Sequence, residues 1–144
     1  MPAIRAVIDT SVMVSVAFAQ QGLTKDLREM ITEGAFELVT SKEIVTELYQ
    51  VLHYPRILRQ FNAAKEDVEE FIGMIVEKAT FTEGLVSLRK IKEDPSDDMF
   101  LACALEGDAG YIVSRDPHLR NLKTFEGIEI VDVKMFVGAV KKGS

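Results

Sequence analysis

The sequence predicts an α/β domain in which a mainly parallel sheet is covered by helices on both sides. Short apolar runs alternate along the 144 residues with amphipathic segments of helical spacing. Acidic residues follow several of the predicted strands directly or lie on the next helix. Ligands of such folds bind beyond the carboxyl ends of the strands, so we expect these acids to gather at one edge of the sheet.

The first half of the chain alternates clearly between strand and helix patterns. Residues 4–8 are apolar and rich in branched side chains, as expected of a strand buried on both faces, and Asp9-Thr10-Ser11 then offers helix-capping groups. Gly34 and Pro55 are stop signals for later helices. The elements predicted after the first strand are helices over 12–19 and 24–33, a strand over 36–40 and a helix over 42–53.

The second half is less regular. Residues 56–61 fit no single element, whereas 64–79 form a long amphipathic pattern that predicts a helix. A further strand is predicted over either 80–82 or 85–88. The remaining predictions are a helix over 97–105, strands over 111–113 and 129–131, and a helix over 133–140. Residues 1–142 are therefore predicted to form one domain, with Gly143-Ser144 as a remnant outside it.

Composition restricts the function. The formal net charge is −6, from 23 acidic and 17 basic residues, which argues against a broad electropositive surface for nucleic acid. Contact with nucleic acid is therefore expected to be local. The single cysteine, Cys103, lies in an apolar helical pattern, which predicts a buried thiol and a cytoplasmic protein. No run approaches the roughly 18 apolar residues of a membrane span.

Four carboxylates dominate the candidate chemistry: Asp9, Glu47, Asp97 and Asp116. Gathered in one cleft, each pair about 5 Å apart would repel by roughly 3 kcal/mol, so the site would need cations or shared protons. Oxygen ligands suit Mg²⁺ or Mn²⁺ better than zinc. Such ions activate water and orient phosphodiesters. A phosphate-binding glycine loop and a serine nucleophile elbow are absent from the sequence.

Individual acids also have structural interpretations. Asp9 and Asp116, which precedes Pro117, are both placed to cap a helix. Glu47 is more informative, because helical rotation puts it at the rim of an apolar stripe, facing a groove. Glu43, one turn earlier, is predicted to be a solvated surface acid.

Asp97 and Asp98 are adjacent and must be told apart. Asp97 lies near the centre of the helix face defined by Phe100, Leu101, Ala104 and Leu105, and a carboxylate aimed inward is unusual without a partner. Asp98 projects roughly a right angle away. We therefore expect Asp97 to reach the acidic site and Asp98 to lie at the rim, where it mainly favours the helix dipole.

Four segments together resemble a PIN domain and follow the order of that family. They are 6–15 (AVIDTSVMVS), 41–48 (SKEIVTEL), 94–101 (DPSDDMFL) and 111–116 (YIVSRD). The chain is most similar to the branch of toxins from toxin–antitoxin systems, relatives of the VapC ribonucleases. One departure is Ser11, which stands where this branch often has Asn.

The resemblance implies a three-layer α/β/α Rossmann-like fold and a metal-dependent endoribonuclease that uses Mg²⁺ or Mn²⁺. Family members often form homodimers, and toxins of this type are silenced by a small antitoxin protein. The residues assigned by the resemblance are Asp9, Glu47, Asp97 and Asp116 as catalytic and metal-binding acids, Thr10 and Ser11 as hydroxyls near the metal, and Ser114 as support of the last acid.

Arg115, His118 and Arg120 bracket Asp116, where the phosphate backbone of an RNA substrate would pass, although each is individually also typical of solvated surface charge. The leading hypothesis is a metal-dependent ribonuclease. The alternative is a catalytically silent PIN-like module that binds RNA or a protein. A phosphoacceptor signalling domain fits less well, because Glu47 lies on a helix and the expected supporting basic residue is missing.

Overall fold

A computed structural model of the protein describes residues 3–86 and 98–143. The strands are β1 (Arg5–Ile8), β2 (Glu37–Ser41), β3 (Thr80–Thr82), β4 (Tyr111–Val113), β5 (Thr124–Phe125) and β6 (Ile128–Val131). The helices are α1 (Thr10–Ala17), α2 (Gly22–Glu33), α3 (Lys42–Leu52), α4 (Pro55–Gln60), α5 (Lys65–Lys78), α6 (Asp98–Glu106), α7 (Pro117–Arg120) and α8 (Val133–Gly143).

The strands form one sheet in the order β3-β2-β1-β4-β6-β5. All neighbouring pairs are parallel except β5 and β6, which pair antiparallel at one edge. The sheet is therefore mainly parallel, and the carboxyl ends of five strands meet along one edge. The predicted three-layer α/β/α architecture is confirmed.

Each face of the sheet packs against its own hydrophobic core. Ala6 and Ile8 contribute to one core and Val7 to the other, because successive strand side chains point to opposite faces. The first core also contains buried residues of α1, α2, α5 and α8. The second contains those of α6 and α7. Burial on both faces explains why β1 reads as a continuous apolar run.

Local signals set several helix boundaries. Asp9 caps α1, and the Ser41 hydroxyl accepts a hydrogen bond of 3.2 Å from Ile44 N at the start of α3. Gly34 ends α2 in the left-handed conformation with φ 72°, as its position as a stop signal predicted. Gly107 ends α6 against β2, where an added Cβ would lie 2.4 Å from Val39 Cγ1.

The short elements differ from the sequence predictions. The ambiguous segment 56–61 is largely helix α4, and neither α7 nor β5 was predicted. Of the two segments predicted as a further strand, 80–82 forms β3. Residues 85 and 86 belong to no strand, and 87–88 lie outside the described residues. Helix α8 continues through Gly143, three residues beyond its predicted end. Elements of two to six residues contain too little periodicity to be recognised.

The single cysteine, Cys103, lies on α6 and its side chain is buried in the core, as predicted. Burial raises the pKa of the Cys103 thiol to about 11, which keeps it protonated at neutral pH. In the parts of the chain that the structure describes, no helix has both the length and the apolar content needed to cross a membrane.

Candidate active site

A cavity of about 420 Å³ opens at the carboxyl ends of β1 and β4. Among the described residues, three carboxylates line it: Asp9, which directly follows β1, Glu47 on α3, and Asp116, which follows β4. We call it the acidic cavity. The parallel order of β2, β1 and β4 explains this convergence, because each strand delivers its next residues to the same edge.

Asp9 is the most buried of these three acids, with 3% of its surface exposed. Its Oδ1 accepts a hydrogen bond of 2.9 Å from Val12 N, so it does cap α1. Its Oδ2 accepts a hydrogen bond from the Ser114 hydroxyl. Capping of α1 therefore involves only one of the two carboxylate oxygens of Asp9.

Ser114 connects the first acid to the last. Its side chain is completely buried, and its Oγ both donates to Asp9 and accepts a 2.9 Å hydrogen bond from Asp116 N. Asp116 Oδ1 in turn accepts from His118 N at 2.8 Å and caps α7. One buried hydroxyl therefore fixes the positions of both acids relative to each other.

The electrostatic environment of Asp9 disfavours its charged form. Burial raises the pKa of Asp9 above its usual value, and the nearby charge of Asp116 raises it further. The hydrogen bonds from Ser114 and Val12 lower the pKa, as does the positive charge of Arg115, but burial outweighs them. A cation in the cavity would favour the ionised form and relieve this imbalance.

Hydroxyl groups complete the wall of the cavity. Thr10 and Ser11 both line it; Ser11 is exposed, whereas Thr10 is buried. Thr10 Oγ1 is enclosed and makes no hydrogen bond with any residue in the described ranges. A buried oxygen without a protein partner beside three carboxylates is the kind of donor that a hydrated cation can satisfy.

The oxygen donors fit a hard divalent cation, but the described acids do not form a complete metal site on their own. Within residues 3–86 and 98–143, no group of three or more His, Cys, Asp or Glu side chains is arranged to hold a metal ion. Mg²⁺ is commonly held by one or two carboxylates and several waters, which is compatible with this cavity. Asp97, the fourth predicted acid, lies outside the described residues.

The two glutamates of α3 differ as predicted. Glu43 is exposed, whereas Glu47, one turn later, is half-buried and lines the acidic cavity. Both also line a neighbouring cavity of about 600 Å³ beside β2 and β3. Glu47 therefore stands between the two cavities.

Asp98 differs from its prediction. It was expected to lie at the rim, yet it is only 6% exposed at the first position of α6. The error arises because the face of a helix does not determine burial at its first residue, where neighbouring elements surround the chain. Phe100, two residues later, lines the acidic cavity. Asp98 does not itself line that cavity, but a buried carboxylate is unusual, so we treat it as a functional candidate that the sequence analysis missed.

The three predicted RNA-contacting residues have different environments. Arg115 is exposed, and its Nη2 donates a 3.2 Å hydrogen bond to Ser15 Oγ on the wall of the acidic cavity. His118 is also exposed. Arg120 Nη1 lies 3.9 Å from Asp132 Oδ2, so its charge is directed toward that carboxylate.

A family model described as PIN domain matches residues 5–118, which include the acidic cavity and all four predicted acids. The chain belongs to the PIN domain family. The resemblance found in the four sequence segments is thereby confirmed. PIN domains are generally nucleases.

Two solved structures share the fold of this PIN domain. PAE2754 from Pyrobaculum aerophilum matches with a TM-score of 0.62 and 12% identity over 96% of this chain and 90% of its own. VapBC2 from Rickettsia felis, bound to a DNA fragment from their promoter, matches with a TM-score of 0.54 and 10% identity. This match covers 88% of the present chain and 97% of the VapBC2 chain. No curated protein sequence matches the chain. At identities of 10–12%, these matches show a shared fold and nothing more.

Proposed function

We propose that this PIN domain is a Mg²⁺- or Mn²⁺-dependent endoribonuclease that hydrolyses phosphodiester bonds of RNA. The observation that carries the proposal is the acidic cavity, where Asp9, Glu47 and Asp116 meet at the carboxyl edge of the sheet. Burial of Asp9 beside another acid is unfavourable for the protein alone, and such arrangements concentrate at functional sites.

In this proposal Asp9, Glu47 and Asp116 hold the cation, with Thr10 and Ser11 oriented toward its hydration shell. The cation supplies polarisation of the phosphate and activation of water. Ser114 keeps Asp9 oriented, because its hydroxyl occupies one lone-pair direction of Oδ2 and leaves others for a ligand. Asp97 remains our proposed fourth acid, and the buried Asp98 is a second candidate for that role.

Contact with the RNA backbone is assigned to few residues. Arg115 is placed at the wall of the acidic cavity, and His118 is exposed beside Asp116. Arg120 is a weaker candidate, because Asp132 already faces it. Local contact of this kind is consistent with a net charge of −6.

We further propose that the protein is the toxin of a toxin–antitoxin pair. Support comes from membership of the PIN family and from the shared fold with VapBC2 of Rickettsia felis. A cognate antitoxin protein, a homodimeric state and a cytoplasmic location belong to the same proposal. Co-expression with the product of the adjacent gene, followed by co-purification and size-exclusion chromatography, tests the partner and the oligomeric state.

A cleavage assay on single-stranded RNAs with Mn²⁺, Mg²⁺ or a chelator tests the activity. Wild type is expected to cleave only with the metal, and Asp9→Asn to lose cleavage. Thermal unfolding provides an independent readout, because a ligand that binds only the folded state raises its stability. Mn²⁺ is expected to raise the Tm of wild type and to raise that of Asp9→Asn far less. Equal responses would exclude the acidic cavity as the metal site.

A catalytically silent RNA- or protein-binding module is the alternative. It is favoured by the lack of a three-ligand metal group among residues 3–86 and 98–143. This alternative predicts RNA or protein binding that is insensitive to chelator and no cleavage with either metal. The same assay therefore separates the two functions.

A further inference from the structure

A third cavity lies beside the acidic cavity at the carboxyl edge of the sheet, on the side of β4 and β6. It measures about 420 Å³ and is lined by Arg115, Asp132, Lys134 and residues 21–24. Arg115 follows β4, and Lys134 follows β6, the strand next to β4 in the sheet. We call it the basic cavity.

We infer that the basic cavity binds a backbone phosphate of the substrate strand, next to the phosphodiester that is cleaved. This inference rests on the proposed ribonuclease function and assigns to it a new contact residue, Lys134. An RNA strand that follows the edge of the sheet from β1 past β4 to β6 crosses two strand spacings, about 10 Å. Both cavities can therefore contact one RNA strand.

Arg115 links the two cavities. Its guanidinium donates to Ser15, which lines the acidic cavity, while Arg115 itself lines the basic cavity. A phosphate held at Arg115 is thus adjacent to the proposed reaction site.

The charges of the basic cavity are available to a ligand. Neither Arg115 nor Lys134 forms an ion pair with any residue that the structure describes. Among the described residues of the wall, Asp132 is the one carboxylate, and it is partly engaged: Oδ1 accepts a 2.8 Å hydrogen bond from Met135 N, and Oδ2 lies 3.9 Å from Arg120 Nη1. Two cations against one carboxylate give these wall residues a net positive charge.

The start of α8 also lies at the wall of the basic cavity. Lys134 is the second residue of α8, and the carboxylate of Asp132 caps this helix terminus through Met135 N. The adjoining start of α2, which also lines the cavity, has no acidic residue in its first turn and no side-chain cap from Gln21. A bound phosphate would be favoured by the two cations and by the positive end of the α2 dipole.

Salt dependence of RNA binding tests the contact without requiring catalysis. Binding of a fluorescent single-stranded RNA is measured in chelator over a range of salt concentrations for wild type, Lys134→Gln and Lys142→Gln. Lys142 is an exposed lysine at the opposite end of the same helix and is the matched control. Loss of one phosphate contact is expected to reduce the slope of log K against log salt by about 0.7 in Lys134→Gln, with no change in Lys142→Gln.

Neutralising one phosphate at a time in the RNA locates the contact. In wild type, a methylphosphonate at one position beside the cleaved bond is expected to lower kcat/KM about fivefold, the upper range of an exposed ion pair. In Lys134→Gln the same replacement should have a smaller effect, because only Arg115 still faces that phosphate. If Lys134→Gln keeps the wild-type salt slope and the wild-type sensitivity at every position, the inference is wrong.

The two proposals fail in different ways. Cleavage by wild type together with identical slopes for Lys134→Gln and Lys142→Gln would support the ribonuclease function and overturn the basic cavity. Absence of cleavage with a reduced slope only in Lys134→Gln would support the basic cavity and overturn the ribonuclease function. Absence of any RNA binding would overturn both.

Discussion

Ser114→Ala removes a hydroxyl that connects Asp9 to Asp116. The serine is completely buried, donates to Asp9 Oδ2 and accepts from Asp116 N at 2.9 Å. Alanine fits the same space, so the substitution deletes two hydrogen bonds with little change in packing. The effect on stability and on the acid can therefore be attributed to these bonds.

The expected loss of stability is about 3 kcal/mol. A hydrogen bond to a charged group contributes about 1.5–3 kcal/mol, and leaving a buried donor without a partner costs about 1–3 kcal/mol. The two effects are not fully additive, because Asp116 N is only partly buried. For a domain of this size, 3 kcal/mol corresponds to a Tm lowered by about 10 °C.

The substitution also changes the titration of Asp9. The Ser114 hydrogen bond lowers the pKa of Asp9, so its removal should raise that pKa further. The folded-state pKa already lies above the unfolded value of 3.8, so the favourable contribution of protonated Asp9 is lost as pH rises through the folded-state pKa. The stability difference between wild type and variant should therefore be smallest near pH 3.8 and widen toward neutral pH.

Urea unfolding at several pH values measures the stability of the fold. The pH dependence of kcat/KM with Mn²⁺ reports the ionisation of Asp9. The acidic limb of the profile should move to higher pH in Ser114→Ala. Ser41→Ala is the matched control, because it removes a buried cap hydroxyl, costs about 1 kcal/mol and leaves Asp9 untouched. If both variants show the same acidic limb and a constant stability difference across pH, the assigned role of Ser114 is refuted.

Five other substitutions, in three sets, test further parts of the site and fold. Glu47→Gln should abolish cleavage, whereas Glu43→Gln should leave it nearly unchanged; equal losses would contradict the assignment of the α3 face. Asp98→Asn should lower kcat/KM roughly tenfold or more, equivalent to about 1.4 kcal/mol, and Asp97→Asn assayed beside it shows whether one acid or both are required. Gly107→Ala should destabilise the fold by about 1–3 kcal/mol in urea unfolding, because its Cβ would lie 2.4 Å from a valine methyl of β2.

The parts of the fold that the sequence predicted share a physical basis. Strands β1 and β2 are buried on both faces, and the long helices pack one stripe against the sheet, so their patterns are strong. The connection at α4 and the helix α7 contain at most two turns, too few to show a period. The antiparallel strand β5 has two residues and pairs with β6 in a hairpin across Glu126 and Gly127, so it is too short to show a pattern.

The acidic cavity was predictable where an acid directly follows a strand. Parallel strands deliver their next residues to one edge, so Asp9 and Asp116 had to approach each other once β1 and β4 became neighbours. Ser114 was predicted to support the last acid, Asp116, but its hydrogen bond to Asp9 was not predicted. Its bond to Asp9 depends on the pairing of β1 with β4, which the sequence alone does not specify.

Asp98 shows where reasoning from a helical wheel ends. The wheel gives the angle between neighbouring residues, about 100°, and the predicted apolar face included Leu105. In the structure Leu105 is only half-buried, while Cys103 is buried, which rotates the buried face of α6 away from Asp98. Judged only from its position on α6, Asp98 should then be more exposed than predicted, yet it is buried. Its burial must come from the elements that surround the start of α6, so assignment of an acid at a helix terminus requires knowledge of those neighbours.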